Sequence, residues 1–100
     1  MTYFLGYDGG GTKTEAILLD ARGHLLGRGL GGPSNAMRIG FDAAFAGLRA
    51  AAESVLSAAR ADAKQVRGVC AGLAGAGSRR VVKRMMAFLV EVFPRAVVHV

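Results

Sequence analysis

Asp8-Gly9-Gly10-Gly11-Thr12-Lys13 sets a carboxylate, three glycines, a hydroxyl and an ammonium side by side between two apolar runs. Glycine loses more backbone entropy on ordering than any other residue, so a triple glycine is poor material for a helix or strand interior. As a turn between two strands it has a use. Successive backbone N–H groups there converge on one concave face, and without β-carbons a phosphate can approach them closely. Asp8 has the wrong sign to hold phosphate directly. It suits a Mg2+ ion held through its waters, and such an ion neutralises phosphate oxygens. The Thr12 hydroxyl can donate to a phosphate oxygen, and Lys13 adds positive charge. The plain alternative is a tight hairpin whose glycines serve only a positive φ. Two glycines would suffice for that, so the order of residues favours a phosphate seat made by Gly9, Gly10, Gly11, Thr12 and Lys13.

Two other phosphate motifs fail. A P-loop needs lysine directly after its last glycine and a helix behind it, whereas Thr12 intervenes here and an apolar strand pattern follows. "GRGLGG", Gly27 to Gly32, satisfies G-x-G-x-x-G by letter, but Pro33 and a loop follow it instead of a helix.

The elements that must hold the turn are legible from pattern. "TYFLGYD" is a continuous apolar run and reads as a strand buried on both faces. "TEAILLD" reads as a second strand, and "HLLGRGL" as a third, weakened by Gly27 and Gly29 and so expected at an edge or bulged. Turns this short force an antiparallel meander. "GGPSNAMRIG" reads as a loop. Phe41, Phe45, Leu48, Ala52, Val55 and Ala59 then recur at helical spacing in an alanine-rich stretch. "VRGVCAGLA" reads as a buried strand entering a second glycine-rich turn. Ser78 is a good N-cap for a helix whose stripe is Val82, Met85 or Met86, Leu89 and Phe93. Pro94 stops that helix, and "AVVHV" begins a last strand. The expected order is β-β-β-α-β-α-β, an α/β fold with a mixed sheet and helices packed against it.

Composition bounds the rest. A chain of 100 residues that is 52% hydrophobic and 20% charged has material for one packed domain and not for disorder. No apolar run approaches the roughly 20 residues that span a bilayer, and no signal peptide is evident, so a cytoplasmic protein is expected. Cys70, the lone cysteine, lies in an apolar run and reads as a buried, inert thiol. A net charge of +6 raises nucleic acid as a partner. The basic residues are scattered apart from Arg79, Arg80, Lys83 and Arg84, which read as a solvated helix face, so nucleic acid is not expected. His24 and His99 accompany no nucleophile and read as structural.

With these residues in place, "YDGGGTKTEAILLDARGHLLGRGLGGPSN" resembles the opening of the N-acetylglucosamine kinase and BadF/BadG-type ATPase family, within the sugar-kinase and actin superfamily. The likeness runs through the "GGPSN" loop, the long helix, "AGLAGAG" and the second helix. It implies a ribonuclease-H-like half of an actin-like ATPase, with Gly10, Gly11 and Thr12 on the β- and γ-phosphates of ATP and Asp8 in the Mg2+ shell. It further implies that Ser34 and Asn35, closing the "GPSN" loop, face a sugar substrate. An amide suits that task, donating to one oxygen and accepting from another; the bland reading of Asn35 is a turn residue capping its own loop. "AGLAGAG" either shapes the sugar side of the cleft or makes a close strand-to-helix turn.

The same resemblance places the catalytic base on an aspartate just beyond Val100, with the adenosine pocket and second domain further on. The expectation is therefore an N-terminal phosphate-binding domain, incomplete at its C-terminal end, of an ATP-dependent sugar kinase acting on an amino sugar. By itself it is expected to be inactive, and its cut-off sheet favours self-association, such as a homodimer. A second reading keeps ATP and replaces the sugar by a partner protein that hydrolysis drives through a conformational change. A third is a non-enzymatic basic module.

Overall fold

Burial alternates along the first strand, and that alternation organises the molecule. The structure, a computed structural model, describes residues 1–100. β1 (Tyr3–Gly9) buries Tyr3, Leu5, Tyr7 and Gly9, while Phe4 and Asp8 are exposed. β2 (Thr14–Asp20) and β3 (Leu25–Gly31) follow as an antiparallel meander. β4 (Val66–Leu73) then pairs parallel to β1, and β5 (Val97–His99) parallel to β4. The five-stranded order is β3-β2-β1-β4-β5, so the sheet is mixed as expected.

The core lies on one face only. Leu5, Tyr7, Ala16, Leu18, Val69, Ala71 and Val98 point into it. α2 (Phe41–Ala59) covers that face with Leu48, Ala51, Ala52, Val55 and Leu56, and α3 (Arg79–Val92) with Val81, Met85, Phe88 and Leu89. Phe93, at the C-cap of α3, is fully buried. Tyr7 reaches across the layer, its hydroxyl donating to the Leu48 carbonyl at 3.1 Å, and burial pushes its phenol far above the ordinary range.

β3 lies at the sheet edge, and its register shifts opposite Leu18 and Leu19. Its glycines seat α2. A β-carbon on Gly29 would lie 2.6 Å from the Val55 nitrogen, and one on Gly31 would strike the Gly47 carbonyl. The G-x-G-x-x-G lettering here serves helix-on-strand packing.

Several expectations need correction. β1 is not buried on both faces: the helices all cover one side, leaving Phe4, Leu19 and Val97 on the open side. Cys70 is exposed on that open side, because an irregularity in the β1–β4 register after Tyr3 resets the alternation between Val66 and Val69. The "GGPSNAMRIG" segment is not wholly loop: Asn35 caps a short helix, α1 (Ala36–Ile39). Val81, rather than Val82, joins the buried stripe of α3. Two members of the basic cluster do more than face solvent. Arg84 and Arg80 stand 4.2 and 5.6 Å from the Phe41 ring centre, beside a Phe45–Phe88 stack at 4.3 Å.

Candidate functional site

β1, β3, β4 and β5 all run in one direction, because β2 is antiparallel to both of its neighbours. The segments after β1, β3 and β4 therefore emerge at one end of the sheet, where open α/β folds bind ligands. These are the glycine turn, the "GGPSN" loop and the "AGLAGAG" turn.

Backbone bonds tie the three together. The Gly10 N–H donates to the Lys13 carbonyl at 2.9 Å and closes the turn; Ser34 donates to the Gly10 carbonyl at 3.1 Å and Ala74 to the Gly9 carbonyl at 2.8 Å. Beneath them Thr14 and Ser34, both fully buried, hydrogen-bond through their hydroxyls at 2.8 Å, and the Thr14 hydroxyl also reaches the Gly32 carbonyl at 2.7 Å. The hydroxyl pair supports the turn from behind. Sequence reasoning chose Thr12 and passed over Thr14, since nothing in "GTKT" says which threonine points inward.

The turn itself faces out. Gly11, Thr12 and Lys13 are exposed, and their backbone N–H groups have no acceptor within the chain. None of Gly9, Gly10 and Gly11 has a positive φ, which removes the plain-hairpin account of the triple glycine. Gly9 is glycine for packing: a β-carbon there would strike Ser34 Oγ and lie 2.7 Å from Leu73 Cδ2. Gly10 has no such reason, because its nearest neighbour would be the Lys13 carbonyl at 3.7 Å. Neither strain nor crowding inside the chain therefore accounts for glycine at position 10.

Asp8, Gly10, Thr12, Lys13 and Glu15 line one shallow, open cleft. Asp8 and Glu15 are cross-strand partners on the open face of the sheet. Glu15 is paired with Arg28 at 2.9 Å, whereas the exposed Asp8 carboxylate has no partner in the chain. No group of three His, Cys, Asp or Glu side chains gathers anywhere in the chain. One free carboxylate beside a turn of unpaired N–H groups would fit Mg2+, which keeps most of its waters, and does not fit a metal caged by protein.

The other sequence-derived residues fall on either side of this cleft. Ser34 has no exposed surface, so it braces the turn rather than facing the opening. Asn35 is half-buried; its Oδ1 accepts from the Met37 N–H at 3.1 Å, and its amide nitrogen has no partner in the chain. A β-carbon on Gly75, whose φ is +82°, would strike Asn35 Oδ1. "AGLAGAG" is thus a strand-to-helix turn that also packs against Asn35. Arg38, one of several scattered arginines in the sequence, comes beside the turn: a β-carbon on Gly11 would lie 3.1 Å from its Nη1. Its signal was its place three residues after Asn35, readable only once α1 is known. His24 is structural as expected, pairing with Asp20 at 3.0 Å in the β2–β3 turn.

A meander extended by two parallel strands, with helices on one face and a glycine turn between the first two strands, is an α/β fold of the actin-like ATPase type. Residues 5–99 match the BadF/BadG/BcrA/BcrD ATPase family, and the chain belongs to it. No curated protein sequence matches it significantly. Among solved structures, the chain is similar to a candidate N-acetylglucosamine kinase from Chromobacterium violaceum. The TM-score is 0.73 at 24% identity, covering 98% of this chain and 34% of that one. It is also similar to YeaZ from Pseudomonas aeruginosa, with TM-score 0.56 at 18% identity over 99% of this chain and 43% of that one. A third likeness is to component A of (R)-2-hydroxyglutaryl-CoA dehydratase from Acidaminococcus fermentans. There the TM-score is 0.53 at 16% identity, covering 98% of this chain and 31% of that one. The chain thus spans about a third of the length of two of these proteins and under half of the other. No helix is long and apolar enough to cross a membrane.

Proposed function

We propose that the chain is the N-terminal, phosphate-binding domain of an ATP-dependent kinase that phosphorylates a hydroxyl of an amino sugar, with N-acetylglucosamine or glucosamine as the substrate class. The observation that carries this is Gly10, which sits in a turn of free N–H groups with no reason inside the chain to be glycine. Gly10, Gly11 and Thr12 take the β- and γ-phosphates, and Lys13 adds charge at the rim. Asp8 holds Mg2+ through water, and the ion when bound supplies further neutralisation of phosphate charge. Asn35 turns its free amide N–H2 toward the sugar while its oxygen stays on Met37. Ser34 supports the seat without touching the sugar. The base is an aspartate following β5, which runs toward the same end of the sheet.

In the reaction a sugar oxygen bonds to the γ-phosphorus as the bond from that phosphorus to its bridging oxygen breaks. The electron pair stays on ADP, and the hydroxyl proton goes to the aspartate. Positioning and charge neutralisation supply nearly all the catalysis in phosphoryl transfer. One wall of such a site is expected to be inactive alone.

The likeness to a component of a dehydratase favours a second reading, an ATPase that drives a change in a partner protein. ADP release from the full-length protein with N-acetylglucosamine, glucosamine, glucose or no sugar separates the two. Release with one sugar only, lost in Thr12→Ala and Asn35→Ala, supports the kinase. Sugar-independent release supports the ATPase, and no turnover removes both.

A further inference from the structure

Arg38 is the one cation that reaches the phosphate turn from the Gly11 side. Its Nη1 would lie 3.1 Å from a β-carbon on Gly11, outside the cleft that Lys13 shares with Asp8 and Glu15. The side chain is exposed and pairs with no carboxylate; the ion pairs of the chain are His24–Asp20 and Arg28–Glu15.

What holds Arg38 there is the helix it shares with Asn35. The Asn35 side chain caps α1, and the Asn35 backbone carbonyl accepts the Arg38 N–H at 3.1 Å. The start of α1 is anchored in turn by buried Ser34, whose N–H donates to the Gly10 carbonyl, and by buried Ala36. A single helical turn therefore carries the amide assigned to the acceptor and a guanidinium beside the donor's phosphates.

We propose that Arg38 binds non-bridging oxygens of the γ-phosphoryl group and stabilises them during transfer. This rests on the phosphate reading of the turn. The guanidinium is a planar fork that meets two oxygens at once and stays charged throughout, so it neither gives nor takes a proton. Charge spreads over the three equatorial oxygens of the phosphoryl group in the transition state, and a fixed cation there acts on the rate more than on ground-state binding. Lys13, on the Asp8 side of the turn, does not substitute for it.

The test uses Arg38→Gln and Arg38→Lys in the full-length protein, with acceptor-dependent ADP release, ADP binding and melting temperature as readouts. The expected result for Arg38→Gln is a fall in kcat on the order of a hundredfold, with ADP affinity within about twofold and an unchanged melting temperature, because the side chain is exposed and unpaired. Arg38→Lys recovers part of the rate, since it restores charge without the fork. An unchanged kcat overturns the proposal. So does a raised acceptor KM at full kcat, which would make Arg38 a reader of the sugar, or a loss of ADP affinity as large as the loss of rate. If the wild type turns over ATP without any sugar and Arg38→Gln slows that turnover, the sugar reading fails and the role of Arg38 stands. If the wild type neither binds nor turns over ATP, both fail.

Discussion

Thr14 Oγ1 and Ser34 Oγ lie 2.8 Å apart in a place with no solvent, one on β2 and the other 20 positions on in the loop after β3. Because Thr14 also bonds the Gly32 carbonyl, a single hydroxyl clamps the loop to the strand. Thr14→Val keeps the shape and leaves the buried Ser34 hydroxyl without its partner, while the Gly32 carbonyl, on an exposed residue, can turn to water. Each buried polar group left unpaired costs about 1–3 kcal/mol, so a loss of about 2 kcal/mol is expected. Chemical denaturation checks it, and Thr14→Ser should recover most of the loss.

Neighbouring glycines in the turn should respond oppositely to alanine. At Gly9 a β-carbon overlaps Ser34 Oγ and crowds Leu73, and overpacking of this kind costs about 1–3 kcal/mol. At Gly10 the added methyl meets nothing closer than 3.7 Å and no strained φ, so stability should change by less than about 0.5 kcal/mol. Gly10→Ala should nonetheless weaken ATP binding at least about tenfold, since the methyl stands where the phosphates approach. Melting curves and ATP titrations of the two variants, run together, separate packing from binding. A Gly10→Ala protein that binds ATP normally would remove the case for a phosphate seat.

The five strands in chain order, the weakness of β3, the two long helices and the Ser78 cap were readable from the sequence, because periodicity and capping chemistry act over a few residues. What was not readable came from relations between distant segments. Apolar runs in β1 and β4 look buried on both sides, yet which sheet face receives helices is decided by where α2 and α3 land. That relation exposes Cys70 and Phe4. Gly29 looked like a weakness in the third strand and Gly31 like the start of a loop, and their shared reason, the backbone of α2 pressed against them, appears only in three dimensions. The glycine turn itself was legible as a motif. Its rear support at Thr14 and its flanking Arg38 were not, since both depend on a loop whose path no local rule specifies.

The β2–β3 turn carries a pH dependence. Asp20 accepts the backbone N–H of His24 and of Arg22, each at 2.9 Å, and the His24 ring lies 3.0 Å away. The His24 backbone bond is the chief cause holding the Asp20 carboxyl below its ordinary value, with its ring and the Arg22 N–H assisting. A carboxyl whose folded pKa is depressed adds stability above its unfolded value, about 3.9, and loses it as pH falls through the folded value. The melting-temperature gap between wild type and Asp20→Asn should therefore be constant above about pH 5 and close progressively below about pH 4. A gap independent of pH would assign the turn's stability to geometry alone.

Asn35 has a structural role and a proposed functional one, and its two amide ends separate them. Its oxygen caps α1 by accepting from Met37, and its nitrogen has no partner in the chain. Asn35→Ala removes both, and loss of an N-cap alone costs about 1 kcal/mol. Asn35→Asp keeps an acceptor for the cap, and carboxylates cap as well as amides do, so its melting temperature should match the wild type. It removes the donor and places a charge where a sugar hydroxyl would sit, so acceptor KM should rise more than about tenfold. ADP affinity should not change, because no hydrogen bond links the Asn35 side chain to the glycine turn. A cap-competent Asn35→Asp protein with unaltered acceptor kinetics would confine Asn35 to holding α1, and the sugar would then have to be read by residues outside this loop.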